Sequence, residues 1–378
     1  MHIAFIDNVC KPDTPGQGGH SDIIWAMAQQ FVNSNVSVTI IGPYRSEIYP
    51  FYHSLLHVST YKPLRNADQN GITRIISVLS ALLVVKKYIN SFDLIHVTDA
   101  FAAGVASSLI RKKPVVFTTS GSILQRQSSS AKLNVISAAF YYFVSYLAAQ
   151  FTTAIIATSH EMKLWWIRTG SNPTKVSVIP LGSDVSPTIH NMKHSLPFKI
   201  LFVGRLAPEN NPEHLIRIWQ MLQSKLESYE LTIVGDGPLM QKLVEMFSRI
   251  QKKEAVHFLG TLPHDTLQTE YSKHHVLVIT REAGAPPRVG IEALAKGMPI
   301  VAFLGNGLED YTSSGTDLFV ENHSLEELIE KISVLSSNPQ LYNDMHADLI
   351  KACHRLNSWE TVCSRIGHEV YESMTTCK

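Results

Sequence analysis

Short apolar runs alternate with helix-patterned stretches along nearly the whole chain, and this alternation restricts the possible folds more than any other feature. In the first half the runs are His2–Asp7, Val36–Gly42, Leu94–Val97, Pro114–Thr118, Ala154–Thr158 and Val176–Pro180. In the second half they are Phe198–Val203, Leu231–Gly235, Val256–Gly260, Val276–Thr280, Pro299–Phe303 and Leu318–Val320. Each run is apolar on both faces, as a strand must be when helices cover both sides of a parallel sheet. Strand and helix in alternation predict two doubly wound α/β units. The chain has 378 residues, too many for one ordinary core. The stretch Gly182–Pro197 is polar, aperiodic and carries Pro187 and Pro197, so it reads as the linker. The expected domains are therefore 1–185 and 195–357.

Helix starts support the second unit. Pro212 after Asn210 and Asn211 reads as a cap and first turn for a helix burying Leu215, Ile218, Trp219 and Leu222. Pro238 opens another helix after the Gly235–Gly237 turn, and the chain end reads as helices over 324–336, 340–355 and 358–374.

Net charge is +1, which removes any whole-molecule signature of nucleic-acid binding. The charge is uneven, however. Residues 1–185 hold 15 Lys/Arg and 9 Asp/Glu, and the remainder 18 and 23. A basic first half suits an anionic surface or ligand, and an uneven solvated surface fits equally. Cys10, Cys353, Cys363 and Cys377 lack metal-ligand spacing and read as reduced, mostly buried thiols of a cytosolic protein. Met1–Asp7 is already a strand pattern, so no signal peptide is expected. Leu133–Phe151 is very apolar, but Asn134, Ser137, Ser145 and Gln150 interrupt it, which favours a docked helix over a membrane span. With the apolar stretch Gly71–Phe92, it makes peripheral membrane contact a possible partner interaction.

Open parallel sheets bind ligands beyond the carboxyl ends of their strands. Two such units facing each other would form a cleft walled by these loops. One of them, Arg281–Ala302, reads REAGAPPRVGIEALAKGMPIVA. It sets Arg288 and Val289, at a helix start, beside the carboxylate of Glu292. Free N–H groups, a helix dipole and a cation suit a diphosphate, while a carboxylate suits sugar hydroxyls. Arg205 follows the strand Phe198–Val203, where a guanidinium can pair with phosphate in bidentate fashion; a surface pair with Glu209 or Glu213 is the plain alternative. The glycines of Thr14–His20, Gly16, Gly18 and Gly19, can let backbone approach a ligand, although the dinucleotide-binding spacing is absent.

These pieces together resemble the family 4 retaining glycosyltransferases of the GT-B fold. The resemblance rests on the glycine loop at Gly16–Gly19, DLIHVTDA at Asp93–Ala100, IIATSHEMK at Ile155–Lys163 and VSVIPLGSD at Val176–Asp184. It continues in FVGRLAPENN at Phe202–Asn211, TIVGDGP at Thr232–Pro238, HFLGTLP at His257–Pro263 and GIEALAKGMPIVA at Gly290–Ala302, with Trp359–Glu360 matching a late element. No piece is specific alone; their order is.

The resemblance implies two Rossmann-like domains across a cleft, a final helix at about 358–374 that crosses back onto the first, and the transfer of a sugar from a UDP- or GDP-linked donor, with no further cofactor and no metal. It implies that Arg205 holds the diphosphate, Glu292 the ribose, and Gly260, Thr261 and Leu262 the nucleobase, while Gly18 and Gly19 approach the phosphates. Three departures stand out. Asn210 occupies the place of a usual lysine, for which Arg288 is the candidate substitute. The first of two spaced glutamates falls on Gly284, so Glu282 fills that role only if the loop carries two extra residues. A usual histidine is replaced by Ser120, leaving His20 or His96 as acceptor-side histidines. The implied acceptor is a saccharide or lipid-linked saccharide, in a setting such as O-antigen or capsule assembly at the inner face of the plasma membrane. A degenerate family member serving as a binding or scaffold subunit, and a sugar-nucleotide epimerase on the same fold, are the rival readings; the few acidic residues of the first half disfavour the second.

Overall fold

A computed structural model describes residues 1–7, 20–42, 54–60, 71–110, 112–119, 135–183, 192–223, 225, 228–312, 319–353 and 357–375. The chain forms two compact units: Met1–Ile123 with Asn134–Gly182 and Asn357–Lys378, and a second made mainly of Ser183–Leu356.

The first unit holds a seven-stranded parallel sheet, β1 (His2–Ile6), β2 (Ser37–Gly42), β3 (Leu56–Thr60), β4 (Leu94–Val97), β5 (Val115–Thr118), β6 (Ala154–Ala157) and β7 (Val176–Val178). Their order is β3-β2-β1-β4-β5-β6-β7. Strand β3 is the one that apolar runs did not reveal. Its sequence, LHVST, is half polar, and as an edge strand it needs no second apolar face. The core strands β1, β4 and β5 are buried almost throughout.

Helix α1 (His20–Asn33) covers one face of this sheet together with the C-terminal segment. That segment runs as a helix over Trp359–Arg365, widens to a π-turn over Ile366–Tyr371 and closes at Glu372–Thr375. Ser358 caps it by accepting from the Thr361 N–H. Tyr371 reaches the sheet and hydrogen-bonds His96 Nδ1, while the other ring nitrogen of His96 meets Thr118 Oγ1 at 2.7 Å. Cys363 is likewise buried here, and burial pushes its thiol up to about 12.

The opposite face carries α2 (Gly71–Lys87), α3 (Ala100–Leu109), α4 (Val135–Phe151) and α5 (His160–Arg168), because each connects strands that advance in the same direction and such crossovers are right-handed. Helices α3 and α4 pack closely at Gly104, where a Cβ would stand 2.6 Å from the Val144 carbonyl oxygen. Among the described residues, no helix is long and apolar enough to cross a membrane.

The second unit holds a six-stranded parallel sheet, β8 (Phe198–Val203), β9 (Tyr229–Val234), β10 (Val256–Gly260), β11 (Val276–Ile279), β12 (Ile300–Phe303) and β13 (Phe319–Val320), in the order β10-β9-β8-β11-β12-β13. Helix α6 (His214–Leu222) buries Leu215, Ile218, Trp219 and Leu222, as its spacing requires. It begins two residues later than Pro212 suggests, because Asn211 adopts a left-handed conformation (φ 46°) after the short turn Pro208–Asn210. Helix α7 (Met240–Ser248) follows the Gly235–Gly237 turn, α8 (His264–Lys273) follows β10, and α9 (Arg288–Ala295) follows β11. Helices α10 (Leu325–Ser337) and α11 (Pro339–Cys353) complete the unit.

Candidate donor site

The loops beyond β8, β9 and β10 are tied to one another by backbone. Gly204 and Leu206 donate to the Val234 and Asp236 carbonyls at 3.0 and 2.9 Å, and Gly235 donates to Gly260 at 2.8 Å. Gly235 has φ 131°, and a Cβ there would stand 2.0 Å from the Gly204 carbonyl oxygen. A side chain at this position would push apart the two loops that carry Arg205 and Asp236.

Arg205 stands at this junction with 70% of its side chain exposed and only a loose 3.9 Å approach to Glu209. Its guanidinium is therefore available to an anion. Asn210, where a cation was sought, does something else. Its amide donates to the Arg205 carbonyl at 2.8 Å, and its own carbonyl accepts from Thr280 Oγ1 at 2.6 Å. It fastens the Arg205 loop to the end of β11.

The loop from Arg281 to Pro287 is organised by Arg281, a residue that motif reading passed over. Its Nε donates to the Ala283 carbonyl at 3.2 Å, and its guanidinium also holds the Ala285 carbonyl. Burial draws this guanidinium down to about 10, with the Glu209 charge acting in the other direction. Gly284, the place of the usual first glutamate, has φ 122° and is buried, so a glutamate there would be strained. Glu282 lies two residues earlier on the same loop. Its carbonyl accepts from His323 Nε2 at 3.0 Å, and its charge acts on His214, opposing the lowering that burial imposes on that imidazole.

Helix α9 starts at Arg288 behind Pro287, and no side chain caps it. Glu292 sits one turn in and is 8% exposed. Tyr271, from α8, donates to Glu292 Oε2 at 3.1 Å and also reaches the Val289 carbonyl at 3.4 Å. Arg288 approaches Glu292 Oε1 at 3.8 Å. Burial first, and the Glu292 charge second, hold the Tyr271 phenol well above its ordinary pKa, so it remains a donor. The buried Lys296 is lowered by desolvation and supported by the same carboxylate. Glu292 is thus held in place from one side by a tyrosine that no motif pointed to. A signal was present: Tyr271 is a large residue among the polar ones of HDTLQTEYSK, and it is buried.

Gly260 ends β10 with φ 65°, and Thr261 beyond it is exposed. The Gly260 carbonyl is shared with Gly235, which leaves the backbone of Thr261 and the half-buried Leu262 as the open edge of this strand.

The acceptor-side candidates fare differently. His96 is 0% exposed, stacked on Phe5 at 5.0 Å and bonded through both ring nitrogens, and burial lowers it to about 3. It is a neutral core residue and cannot touch an acceptor without leaving these partners. His20 begins α1, and nothing further is described of its side chain. Gly18, Gly19 and Ser120 lie outside the described residues.

Two family descriptions match this chain: Glycosyltransferase Family 4 over residues 17–186 and Glycosyl transferases group 1 over residues 191–352. The chain belongs to the family 4, group 1 glycosyltransferases. Among curated relatives, this glycosyltransferase is 27% identical over 204 residues to an uncharacterized glycosyltransferase of Haemophilus influenzae, covering 53% of this chain and 56% of that protein. The chain thus spans little more than half the length of that relative. It is 24% identical over 286 residues to an uncharacterized 41.2 kDa protein in the cps region of Klebsiella pneumoniae, covering 71% and 76%.

Solved structures share its fold at low identity. Sucrose-phosphate synthase from Thermosynechococcus elongatus superposes with a TM-score of 0.81 at 18% identity, covering 100% of both chains. Anabaena HepE in complex with UDP-glucose superposes with a TM-score of 0.74 at 18% identity, covering 98% of this chain and 100% of that one. The transferase therefore has the two Rossmann-like units of the GT-B fold.

Proposed function

We propose that this glycosyltransferase moves a sugar from a UDP- or GDP-linked donor to a hydroxyl of a saccharide or lipid-linked saccharide, with retention at the anomeric carbon, in bacterial surface-polysaccharide assembly. The observation that carries the reading is the loop cluster of the second unit. An exposed arginine, an uncapped helix start and a positioned carboxylate stand at neighbouring strand ends, which is what a sugar nucleotide requires. HepE, of the same fold, is seen with UDP-glucose, and the Klebsiella relative comes from a cps region; both support the donor class and the setting.

In the reaction the anomeric C–O bond to the β-phosphate breaks and a bond from the acceptor oxygen forms on the same face. The acceptor proton passes to the leaving phosphate. Negative charge grows on that phosphate in the transition state. Arg205, Arg288 and the N–H groups opening α9 are placed to meet it before reaction, which is electrostatic preorganisation. Glu292, held by Tyr271, takes the ribose hydroxyls. Glu282 is the carboxylate of the neighbouring loop and is assigned to the donor sugar. Asn210 serves by fixing the Arg205 loop.

The test is thermal shift and turnover against UDP-, GDP- and ADP-sugars. One nucleotide should raise the melting temperature selectively. Arg205→Ala should weaken that donor about ten- to a hundredfold, the worth of a hydrogen bond to a charged group. Tyr271→Phe should raise donor KM about tenfold with little change in kcat, since its hydroxyl acts through Glu292. No shift with any sugar nucleotide would overturn the reading in favour of a binding subunit that has lost the donor.

A further inference from the structure

Helix α4 of the first unit turns its large apolar side chains outward. Helix α4 packs on α3 through Val144, Ser145, Ala148 and Ala149, all buried, while Tyr142, Phe143 and Tyr146 are 51%, 57% and 44% exposed. An ordinary amphipathic helix does the reverse, burying large residues and exposing polar ones. The close approach at Gly104 makes this inversion possible, because only small side chains fit between the two helices. Helix α2 adds exposed leucines beside a buried face of Val78, Ala81, Leu82 and Val85: Leu79 is 43% and Leu83 70% exposed. Leu109 at the end of α3 and Leu164 on α5 are exposed as well. Exposed apolar side chains gathered on one helical layer mark an interaction site.

Charge identifies what covers it. Residues 71–175, which span the layer, contain 11 Lys/Arg and 3 Asp/Glu. Of the three acids, Asp99 is buried as the cap of α3, and Asp93 accepts the His2 N–H at 2.8 Å. Five of the basic residues share one edge. Lys86 and Lys87 end α2, Lys112 and Lys113 precede β5, and Arg168 ends α5, so all sit at the amino-terminal edge of the sheet. A protein partner of mixed charge would not call for so one-sided a rim. Tyrosine and phenylalanine beside a lysine rim match a bilayer instead, with rings at headgroup depth and ammonium groups on anionic phosphates.

We propose that the α2–α5 layer is a docking surface for an anionic lipid bilayer. It adds to the function above the place where a lipid-linked acceptor is met, and it rests on that reading for this step alone.

The test is co-sedimentation of the whole protein with vesicles of phosphatidylcholine alone or with phosphatidylglycerol. Binding is expected to the anionic vesicles and to weaken between about 0.15 and 1 M salt, as screening shortens from about 8 to 3 Å. Reversing Lys86, Lys87, Lys112 and Lys113 to glutamate should lower partitioning at least tenfold, at about fivefold per charge near an anionic surface. Leu83→Ser with Phe143→Ser should also lower it about tenfold. Each variant should keep the wild-type far-ultraviolet circular dichroism and its nucleotide-sugar thermal shift, which reads folding and the donor site apart from the membrane. Wild-type protein that ignores anionic vesicles overturns the proposal, whatever its donor response. So does a dimer in solution that shields Phe143 and Leu83 and leaves no vesicle binding. Vesicle binding without any donor shift would leave this inference standing and remove the transferase reading instead.

Discussion

Helices α4 and α6 perform the same topological task in the two units, each covering one face of a parallel sheet, yet they sort their side chains in opposite ways. Helix α6 puts Trp219 and four aliphatic residues inside and leaves polar residues in water. Helix α4 puts alanine, serine and valine inside and leaves aromatic residues in water. Apolar content therefore says little about which face is core. What decides is how closely the neighbouring backbone approaches: near Gly104 the gap admits small side chains, while beside Tyr229 it admits an indole, with rings 4.6 Å apart.

The largest expected effect that would break this contrast is at Trp219. Trp219→Ala should cost the second unit about 3–5 kcal/mol, the range for removing a buried aromatic ring, by calorimetric unfolding. It also removes the 3.2 Å bond from the indole N–H to the Gln251 carbonyl. A smaller effect should appear with pH. His96 is depressed to about 3 in the folded state, against an ordinary 6.5. The unfolded chain thus binds the proton first, so stability is full above about 6.5 and falls as pH drops toward 3. Lowering pH from 7 to 5 should cost the first unit about 2 kcal/mol through this residue, and His96→Gln should flatten that dependence. The smallest effect belongs to the outer face of α4. Phe143→Ser should change unfolding free energy by no more than about 0.5 kcal/mol, as for surface positions generally. A loss comparable to that of Trp219 would mean that the ring is covered in solution and the contrast is false.

Much of the site was legible in the chain because it depends on order along it. Arg205, Glu292 and the Gly235–Gly237 turn sit at strand ends, and strand ends follow from apolar runs. Tyr271 and His214 were not legible, since each meets the site through a bond or a charge from another element; Arg281 was not, since its hold on the Ala283 and Ala285 carbonyls follows from the fold of its own loop. Asn210 was legible as a missing cation and illegible as a clamp, because its partners, the Arg205 carbonyl and Thr280, come from two separate loops. His96 shows the same limit from the other side: a histidine near a strand end looked available until Tyr371, 275 residues away, was found against it.

The sequence by itself determined the two parallel sheets, most of their strands, the helix starts at Ser324 and Ser358, and the position of Arg205 and Glu292 in the loops and helix starts beyond the strands of the second unit. These follow from local periodicity, capping chemistry and strand-end position, none of which needs the third dimension. Tertiary structure alone decided which face of α4 is buried, what holds Glu292, and why glycine occupies position 284. The first depends on how closely two helix backbones approach, the second on a hydroxyl from another helix and the third on a left-handed backbone, and no local pattern encodes them.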